Sequence, residues 1–222
     1  MYNFIAIEGN IGAGKTALAN LIASELDYEP ILEEFKDKAY LERFYQDRER
    51  YAFPLEISFL VERYQQLSHA LVSGNLFKSG FVADYMFDKS LIFASLNLSE
   101  DQYHLFRELF DVFTAQLKFP DLLIYLHRPV SQAKAQIEHR ARPFEQGIPD
   151  SYLQEVEEGY RQYLQNLTNK RVLTINLGQA DFLEDESIKQ EVIQLVKQGF
   201  EPRRHALELN QEGQLVKKGE IL

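Results

Sequence analysis

The residues with the clearest chemistry lie in one short run, residues 9–16, which reads GNIGAGKT and satisfies the pattern G-x-x-x-x-G-K-[ST]. Small residues allow backbone N–H groups to curl around a phosphate, and the following helix adds the positive end of its dipole. Lys15 is expected to reach the β- and γ-phosphates, and the Thr16 hydroxyl to hold Mg²⁺. We predict that a nucleoside triphosphate is bound by this loop, which consists of Gly9, Asn10, Ile11, Gly12, Ala13, Gly14, Lys15 and Thr16.

Two acids and a pair of arginines could complete a phosphate-transfer site. Glu33 follows what reads as a second strand, and Asp84 closes the apolar run GFVADY at residues 80–85. A carboxylate at the end of a parallel strand lies at the ligand crevice, where it can take a proton from a hydroxyl or bind Mg²⁺. Arg140 and Arg142 form a compact cationic pair that suits a phosphoryl group. Glu34 is an alternative to Glu33.

The elements that must position these residues alternate between strands and helices. Apolar runs at 4–7, 80–85, 121–127 and 171–177 predict strands. Apolar residues three or four apart predict helices after the phosphate loop, at 41–73 and at 99–117, with Ser99 as an N-cap. Pro54 is expected to kink the 41–73 helix or to begin a second one. This order predicts an α/β fold with a parallel sheet and helices on both faces.

Composition limits the partners and the setting. The 222 residues suffice for one domain, and residues from Glu201 onwards have weak periodicity, so we expect a mobile tail there. The net charge of −10 argues against a nucleic acid polymer as ligand. No apolar run approaches the 18 or so residues that span a membrane. The chain has no cysteine and no basic leader, and we expect a cytoplasmic protein.

Two classes of phosphate-loop protein can be excluded from the sequence. The only Asn-Lys pair, at residues 169–170, is followed by Arg-Val, so the base-reading element of switch GTPases is missing. The strand at 121–127 ends in His-Arg rather than in the Asp-Glu typical of motor ATPases. A small-molecule phosphotransferase remains, which needs a group to accept the proton of the attacking hydroxyl and a cationic lid.

The sequence resembles the deoxynucleoside kinases, in particular their bacterial deoxyguanosine/deoxyadenosine branch. The resemblance rests on IAIEGNIGAGKT, on the helical segment from LEEFKDKAYLERFYQDRERYAFPLEISF onwards, on FVADYMFDKSLIFA and on IEHRARPFE. It implies a P-loop kinase fold with a lid, a kinase domain over residues 1–200, and a tail over 201–222. It also implies Mg²⁺ with ATP as phosphoryl donor and a deoxynucleoside as acceptor.

The resemblance assigns roles at the reacting end of the substrate. Glu33 takes the place of the base that activates the 5′-hydroxyl, and Tyr45 that of the tyrosine that binds the 3′-hydroxyl. Asp84 matches the acid beside the metal, and Arg140 and Arg142 match lid arginines. A second set of residues would hold the nucleobase.

Three residues match the family near the base. Arg63 and Asp88 match a pair at the base edge, and Phe93 matches the aromatic side chain that stacks on the base. The family often has arginine directly after the position of Asp84, where this chain has Tyr85. One cationic contact must therefore come from elsewhere.

Glu56 stands where the family commonly has glutamine. An ionised glutamate only accepts hydrogen bonds, and guanine presents two parallel donors, N1–H and N2–H₂. Adenine would instead turn the lone pair of N1 towards the carboxylate, at a cost on the order of 1–3 kcal/mol. We therefore expect a purine substrate, with deoxyguanosine favoured over deoxyadenosine, although Asp88 and Arg63 could reverse the preference.

Two other functions stay open at this point. A nucleoside monophosphate kinase of the thymidylate type would need cations for a substrate phosphate, and the 41–67 region offers four arginines among many acids. A nucleotide-binding regulator without turnover would not need Glu33 or the lid arginines. The apolar content of the 41–73 and 99–117 helices predicts a homodimer, as does the family resemblance.

Overall fold

The computed structural model describes residues 2–34, 38–73, 77–145, 147–178, 185–210 and 214–218. Its strands are β1 (Phe4–Gly9), β2 (Tyr28–Ile31), β3 (Gly80–Ala83), β4 (Leu122–His127), β5 (Val172–Asn176), β6 (Arg204–Leu209) and β7 (Leu215–Lys218). Its helices are α1 (Lys15–Leu26), α2 (Lys38–Gln46), α3 (Arg48–Ser73), α4 (Lys89–Asn97), α5 (Glu100–Thr114), α6 (Val130–Arg140), α7 (Asp150–Asn166) and α8 (Glu186–Gln198).

The strands form one sheet in the order β2-β3-β1-β4-β5-β6-β7. All neighbours pair in parallel except β6 and β7. Side chains of a strand alternate between the two faces, so Ile5 and Ile7 of β1 join a core with α1 and α8. Phe4 and Ala6 join a second core with α3, α4, α5 and α7. The predicted α/β fold with helices on both faces is confirmed.

The predicted helical region 41–73 contains two helices, and the break is not at the proline. The α2 helix ends at Gln46 and α3 begins at Arg48, so Asp47 alone separates them. Pro54 lies inside α3, past its first turn. The expectation that Pro54 begins the second helix is therefore wrong. Ser99 is the N-cap of α5, as the sequence predicts. The Gln102 side chain accepts a hydrogen bond from the backbone N–H of Ser99.

The segment expected to be a tail contributes β6 and β7 to the sheet. Only Leu207 of β6 is fully buried, and the remaining side chains of this strand are exposed or partly buried. A strand near the sheet edge with one buried side chain leaves little hydrophobic pattern in the sequence, which explains why it was not predicted.

The sheet brings the carboxyl ends of three strands together. The phosphate loop begins at the last residue of β1, and Asp84 directly follows β3. Glu33 follows β2 with one residue, Leu32, between them. Because β3 lies between β1 and β2, Asp84 stands between the loop and Glu33. This is the edge at which open parallel sheets bind ligands. Within the described residues, no helix combines the length and apolarity of a membrane span.

A pair of substitutions tests whether the C-terminal strands belong to the core. Leu207→Ala should lower the free energy of unfolding by about 2–5 kcal/mol, because it leaves a cavity under β6. Val216→Ala, at a side chain of β7 that is 42% exposed, should cost about 1 kcal/mol or less. Urea unfolding of both variants gives the comparison, and equal losses would contradict a core role for this segment.

Candidate active site

The phosphate loop is closed on itself by Lys15. Its Nζ donates to the backbone oxygens of Gly9 and Asn10, both at 2.9 Å. Gly14 caps α1 in the left-handed region, with φ 96°. Gly12 has φ +81°, and a Cβ atom there would lie 2.4 Å from the backbone oxygen of Ala133 in α6. Only glycine fits there, and the backbone can make the tight turn that a phosphate loop requires.

Asn10 connects the loop to the helix that follows the lid. Its Nδ2 donates to the backbone oxygen of Leu153 in α7 at 2.8 Å, and its Oδ1 accepts from the N–H of Ile11 at 2.8 Å. The side chain is buried. This link fixes α7 relative to the phosphate loop.

Asp84 ties the loop to Glu33. Its Oδ2 accepts from the Thr16 hydroxyl at 2.5 Å, and its Oδ1 accepts from the backbone N–H of Glu33 at 2.6 Å. The structure therefore brings together the two residues that were predicted to serve a metal ion and the predicted proton acceptor.

Glu33 is held between two cations. Arg63 places Nε and Nη2 at 2.8 Å from Oε1, and Lys89 places Nζ at 2.6 Å from Oε2. Burial alone would raise the pKa of Glu33, but the charges and hydrogen bonds of Lys89 and Arg63 outweigh it and hold the pKa well below its usual range. Glu33 is ionised at neutral pH, and its side chain is still 21% exposed.

Glu8, at the end of β1, is a buried acid that the sequence analysis did not single out. Its oxygens accept from the N–H of Met86 at 2.7 Å and from the Tyr160 hydroxyl at 2.6 Å. Burial raises the pKa of Glu8, and the charges of Lys89 and Lys15 oppose this rise. The carboxyl joins the segment after β3 to α7, behind the phosphate loop.

A cavity of about 680 Å³ opens in front of these groups. Its wall includes most of the predicted site residues, namely Ile11, Gly12, Lys15, Thr16, Glu33, Tyr45, Glu56, Arg63, Asp84, Phe93, Arg140 and Arg142. It also includes Glu34, Lys89, Asn97, Glu145 and Tyr152. Of this second group, the sequence analysis had considered only Glu34.

Asp88 is not among the residues that line this cavity, and its assignment to the base edge stays a prediction. It is the N-cap of α4, and its Oδ1 accepts from the Tyr163 hydroxyl of α7 at 2.7 Å. The face of α4 that does line the cavity carries Lys89, Phe93 and Asn97, spaced four residues apart. The helical spacing from Phe93 was the signal that could have identified the other two.

Glu56 and Asn97 form a polar pair in the cavity wall. Asn97 Nδ2 donates to Glu56 Oε1 at 2.6 Å and also lies 3.3 Å from the Tyr152 hydroxyl oxygen. Glu56 Oε2 and Asn97 Oδ1 are both buried and have no hydrogen-bond partner. Both are acceptors as the amide is oriented, so this part of the wall offers two unused acceptor atoms.

The Glu56 carboxyl titrates near neutrality. Burial raises its pKa to about 7, and the Asn97 hydrogen bond together with the charges of Arg63, Lys89 and Arg48 oppose the rise. Arg63 does not form a direct ion pair with it, because the Arg63 nitrogens donate to Glu33 and to Ser90 Oγ. Both protonation states of Glu56 are therefore populated at physiological pH.

The lid arginines share one acid. Arg140 and Arg142 flank the left-handed Ala141 at the end of α6, and both contact the buried carboxylate of Glu145. Glu145 lies in the short 3₁₀ turn Pro143–Glu145. Tyr45 lines the same cavity, and burial raises the pKa of its hydroxyl well above the usual range, so it stays protonated.

This arrangement separates two kinds of chemistry within one cavity. The phosphate loop and the lid arginines supply N–H donors and positive charge for phosphate groups. The carboxylate of Glu33 lies beside them, and the aromatic ring of Phe93 and the Glu56–Asn97 pair line the same cavity. Such a site can align a hydroxyl with a terminal phosphate while it holds a flat polar ring.

Comparison with known proteins agrees with this geometry. The sequence model of the deoxynucleoside kinase family matches residues 5–200. A deoxyguanosine kinase of Bacillus subtilis is 34% identical over 88% of this chain and 96% of its own. A deoxyadenosine/deoxycytidine kinase of the same organism is 31% identical over 86% of this chain and 90% of its own.

The fold is shared with a solved kinase structure. A deoxyadenosine kinase from M. mycoides, solved with bound dATP, superposes with a TM-score of 0.71 and 26% identity. The match covers 88% of this chain and all of that one. On these grounds, together with the phosphate loop and the cavity beside it, the chain belongs to the deoxynucleoside kinase family and is a phosphotransferase with a P-loop kinase fold.

Proposed function

We propose that this kinase phosphorylates the 5′-hydroxyl of a purine deoxynucleoside with Mg-ATP, and that it prefers deoxyguanosine to deoxyadenosine. The observation that carries the base preference is the pair of buried, unpartnered acceptors, Glu56 Oε2 and Asn97 Oδ1. The similar proteins do not determine the base preference, because their names include both deoxyguanosine and deoxyadenosine kinases. We expect the activity in the cytoplasm, where ATP and the nucleotide pool are available.

The orientation of Asn97 follows from its neighbours. While Glu56 is ionised, its carboxylate has no hydrogen to donate, so in that state the amide turns its NH₂ group towards Glu56. The two hydrogens of that NH₂ group face Glu56 Oε1 and the Tyr152 hydroxyl, and Oδ1 is left as an acceptor. A buried acceptor without a partner is costly, and a ligand that supplies donors removes that cost.

Guanine supplies the donors that this wall lacks. Its N1–H and one hydrogen of N2–H₂ can go to the Glu56 carboxylate, and the second hydrogen of N2–H₂ can go to Asn97 Oδ1. Adenine supplies N6–H₂ but turns the lone pair of N1 towards the same acceptors, unless Glu56 is protonated. The ionised state therefore favours guanine, and the protonated state favours adenine.

The phosphate end of the cavity supports the transfer step. A carboxylate has about four lone-pair positions. Arg63 occupies two on Oε1 of Glu33 and Lys89 occupies one on Oε2, which leaves a position for the 5′-hydroxyl. Glu33 would orient this hydroxyl and receive its proton as the oxygen attacks. Because the transition state of phosphoryl transfer is loose, a weakly basic carboxylate suffices.

The residues beside the phosphate loop fit a magnesium ion. Mg²⁺ prefers oxygen ligands, and the Thr16 hydroxyl and the Asp84 carboxylate lie 2.5 Å apart in the cavity wall. Thr16 would hold the ion directly, and Asp84 directly or through water. When bound with ATP, the ion neutralises charge on the β- and γ-phosphates. Arg140 and Arg142 would add positive charge from the lid.

The direct test of this proposal is a substrate panel. Purified protein with Mg-ATP is assayed against the four deoxynucleosides, and kcat/KM is measured for each. We expect the highest value for deoxyguanosine and the second highest for deoxyadenosine. A pyrimidine as the best substrate would refute the purine preference, and phosphorylation of deoxynucleoside monophosphates in place of deoxynucleosides would refute the choice of acceptor.

Glu33→Gln tests the proton acceptor. The amide keeps the shape of the side chain but loses its charge and basicity, so kcat should fall roughly 10²–10⁴-fold with a modest change in the deoxynucleoside KM. Steady-state kinetics give both constants. Glu34→Gln is the comparison, because a larger loss there than in Glu33→Gln would assign the role to Glu34.

Glu56→Gln tests the base preference. The ratio of kcat/KM for deoxyguanosine to that for deoxyadenosine should shift towards adenine by about 10- to 100-fold, because an acceptor becomes a donor. In the native enzyme the same ratio should rise between pH 6 and 8, since ionisation of Glu56 creates the acceptor pair, and in the variant this rise should be absent. Glu49→Gln, an exposed change on the same helix, is the control. A ratio unchanged by Glu56→Gln would leave the guanine preference without support.

We also propose that the kinase is a homodimer that packs through α5. Leu105, Leu109 and Val112 are spaced four and three residues apart on this helix and are 50%, 37% and 63% exposed. Large apolar side chains that share one exposed helical face are typical of an interface.

Light scattering should give twice the chain mass of 25.9 kDa at micromolar concentration. Val112→Asp should shift the mass towards the monomer, because it would bury an unpaired charge. Val216→Asp, at an exposed position of β7, should leave the mass unchanged. A monomeric native protein would contradict the proposal.

A further inference from the structure

Lys89 occupies a position that neither the phosphate loop nor the family resemblance assigns. It is the first residue of α4 and is buried, and its Nζ lies 2.6 Å from Glu33 Oε2. It lines the same cavity as Lys15 and Thr16 of the phosphate loop. Its ammonium group therefore lies beside the proposed proton acceptor and lines the cavity onto which the phosphate loop opens.

Arg63 alone supplies Glu33 with one full positive charge and two hydrogen-bond donors. Its Nε and Nη2 both reach Oε1, while its Nη1 donates to Ser90 Oγ at 2.9 Å. This side chain is fixed at three nitrogens. Lys89 is the second cation that contacts the Glu33 carboxylate. Its ammonium group has three N–H donors, and the hydrogen bond to Glu33 uses one of them. Its flexible stem allows the other two donors to reach a new acceptor.

The residue directly after Asp84 brings no charge to this place. Tyr85 is fully buried, and its hydroxyl donates to Gln66 Oε1 at 2.8 Å. Lys15 is engaged with the backbone of its own loop. Of the two cations that contact Glu33, Lys89 is the one that can turn its remaining N–H donors to a further acceptor.

We propose that Lys89 is a catalytic residue that bridges Glu33 and the transferring phosphoryl group. In the step itself, the O5′–Pγ bond forms and the bond from Pγ to the bridging oxygen breaks, with its electron pair left on ADP. The proton of the 5′-hydroxyl passes to Glu33. The free N–H donors of Lys89 bind the equatorial oxygens of the phosphoryl group, where charge is spread in the transition state. This proposal rests on the proposed role of Glu33.

Removal of the charge is the first test. Lys89→Met should lower kcat by about 10²–10³-fold with a deoxynucleoside KM within a few fold, since a donor to the transition state is lost. Lys89→Gln, which can keep a hydrogen bond to Glu33 but has no charge, should show a similar loss. Lys78→Met removes a lysine paired with Asp27 at 2.6 Å and should leave kcat unchanged. Near-native kcat in either Lys89 variant would overturn the proposal.

A double variant distinguishes two roles for Lys89. Lys89 either contacts the phosphoryl group itself or acts only by positioning Glu33. If Lys89 acts only through Glu33, the double variant Glu33→Gln/Lys89→Met should have the kcat of Glu33→Gln alone. We expect a further loss of at least about tenfold. Equal kcat values would overturn the proposal. Near-native kcat in Glu33→Gln itself would instead refute the proposed role of Glu33, so the two failures can be distinguished.

The absence of cysteine from the chain permits a chemical rescue. Lys89→Cys introduces a single thiol, which 2-bromoethylamine converts into a lysine analogue and iodoacetamide into a neutral amide. We expect the aminoethylated protein to recover kcat at least about tenfold over the carbamidomethylated one, as only the former carries an ammonium group. Equal activity of the two products would show that the charge is not required and would refute the proposal.

Discussion

The site depends on one partly buried carboxylate, that of Glu33, and on the two cations that hold it ionised. A charged group in a partly buried position must be paired, and loss of both partners would leave an uncompensated charge in the cavity. Arg63 comes from α3 and Lys89 from α4, while the backbone of Glu33 is bound by Asp84 after β3. The requirement to pair this charge therefore fixes two helices against the carboxyl edge of the sheet.

The same requirement gives the cavity its polarity. Positive groups and N–H donors gather where phosphates bind, and the Glu56–Asn97 pair presents acceptors. This separation of donors and acceptors within one cavity agrees with the family to which the chain belongs.

Sequence reasoning succeeded where local chemistry determines structure. The phosphate loop requires glycine and lysine at fixed spacing, and the acids after β2 and β3 follow buried apolar runs, so their positions could be predicted. The bond between Asp88 and the Tyr163 hydroxyl of α7 could not be predicted, because the two residues are distant in sequence. Sequence reasoning missed Lys89 and Asn97 because the face of α4 that lines the cavity is set by packing. The strands from Arg204 onwards could not be predicted because one buried leucine in each, Leu207 and Leu215, leaves almost no pattern.

We expect Glu33 to bind the 5′-hydroxyl at the phosphate end of this cavity. The measurement that tests this is the distance from the Glu33 carboxylate to O5′ in a crystal structure of the enzyme with deoxyguanosine, Mg²⁺ and a non-hydrolysable ATP analogue. The expected distance is about 2.6–3.2 Å, with O5′ directed at the γ-phosphate. A distance beyond about 4 Å, with the hydroxyl bound by another group, would contradict it.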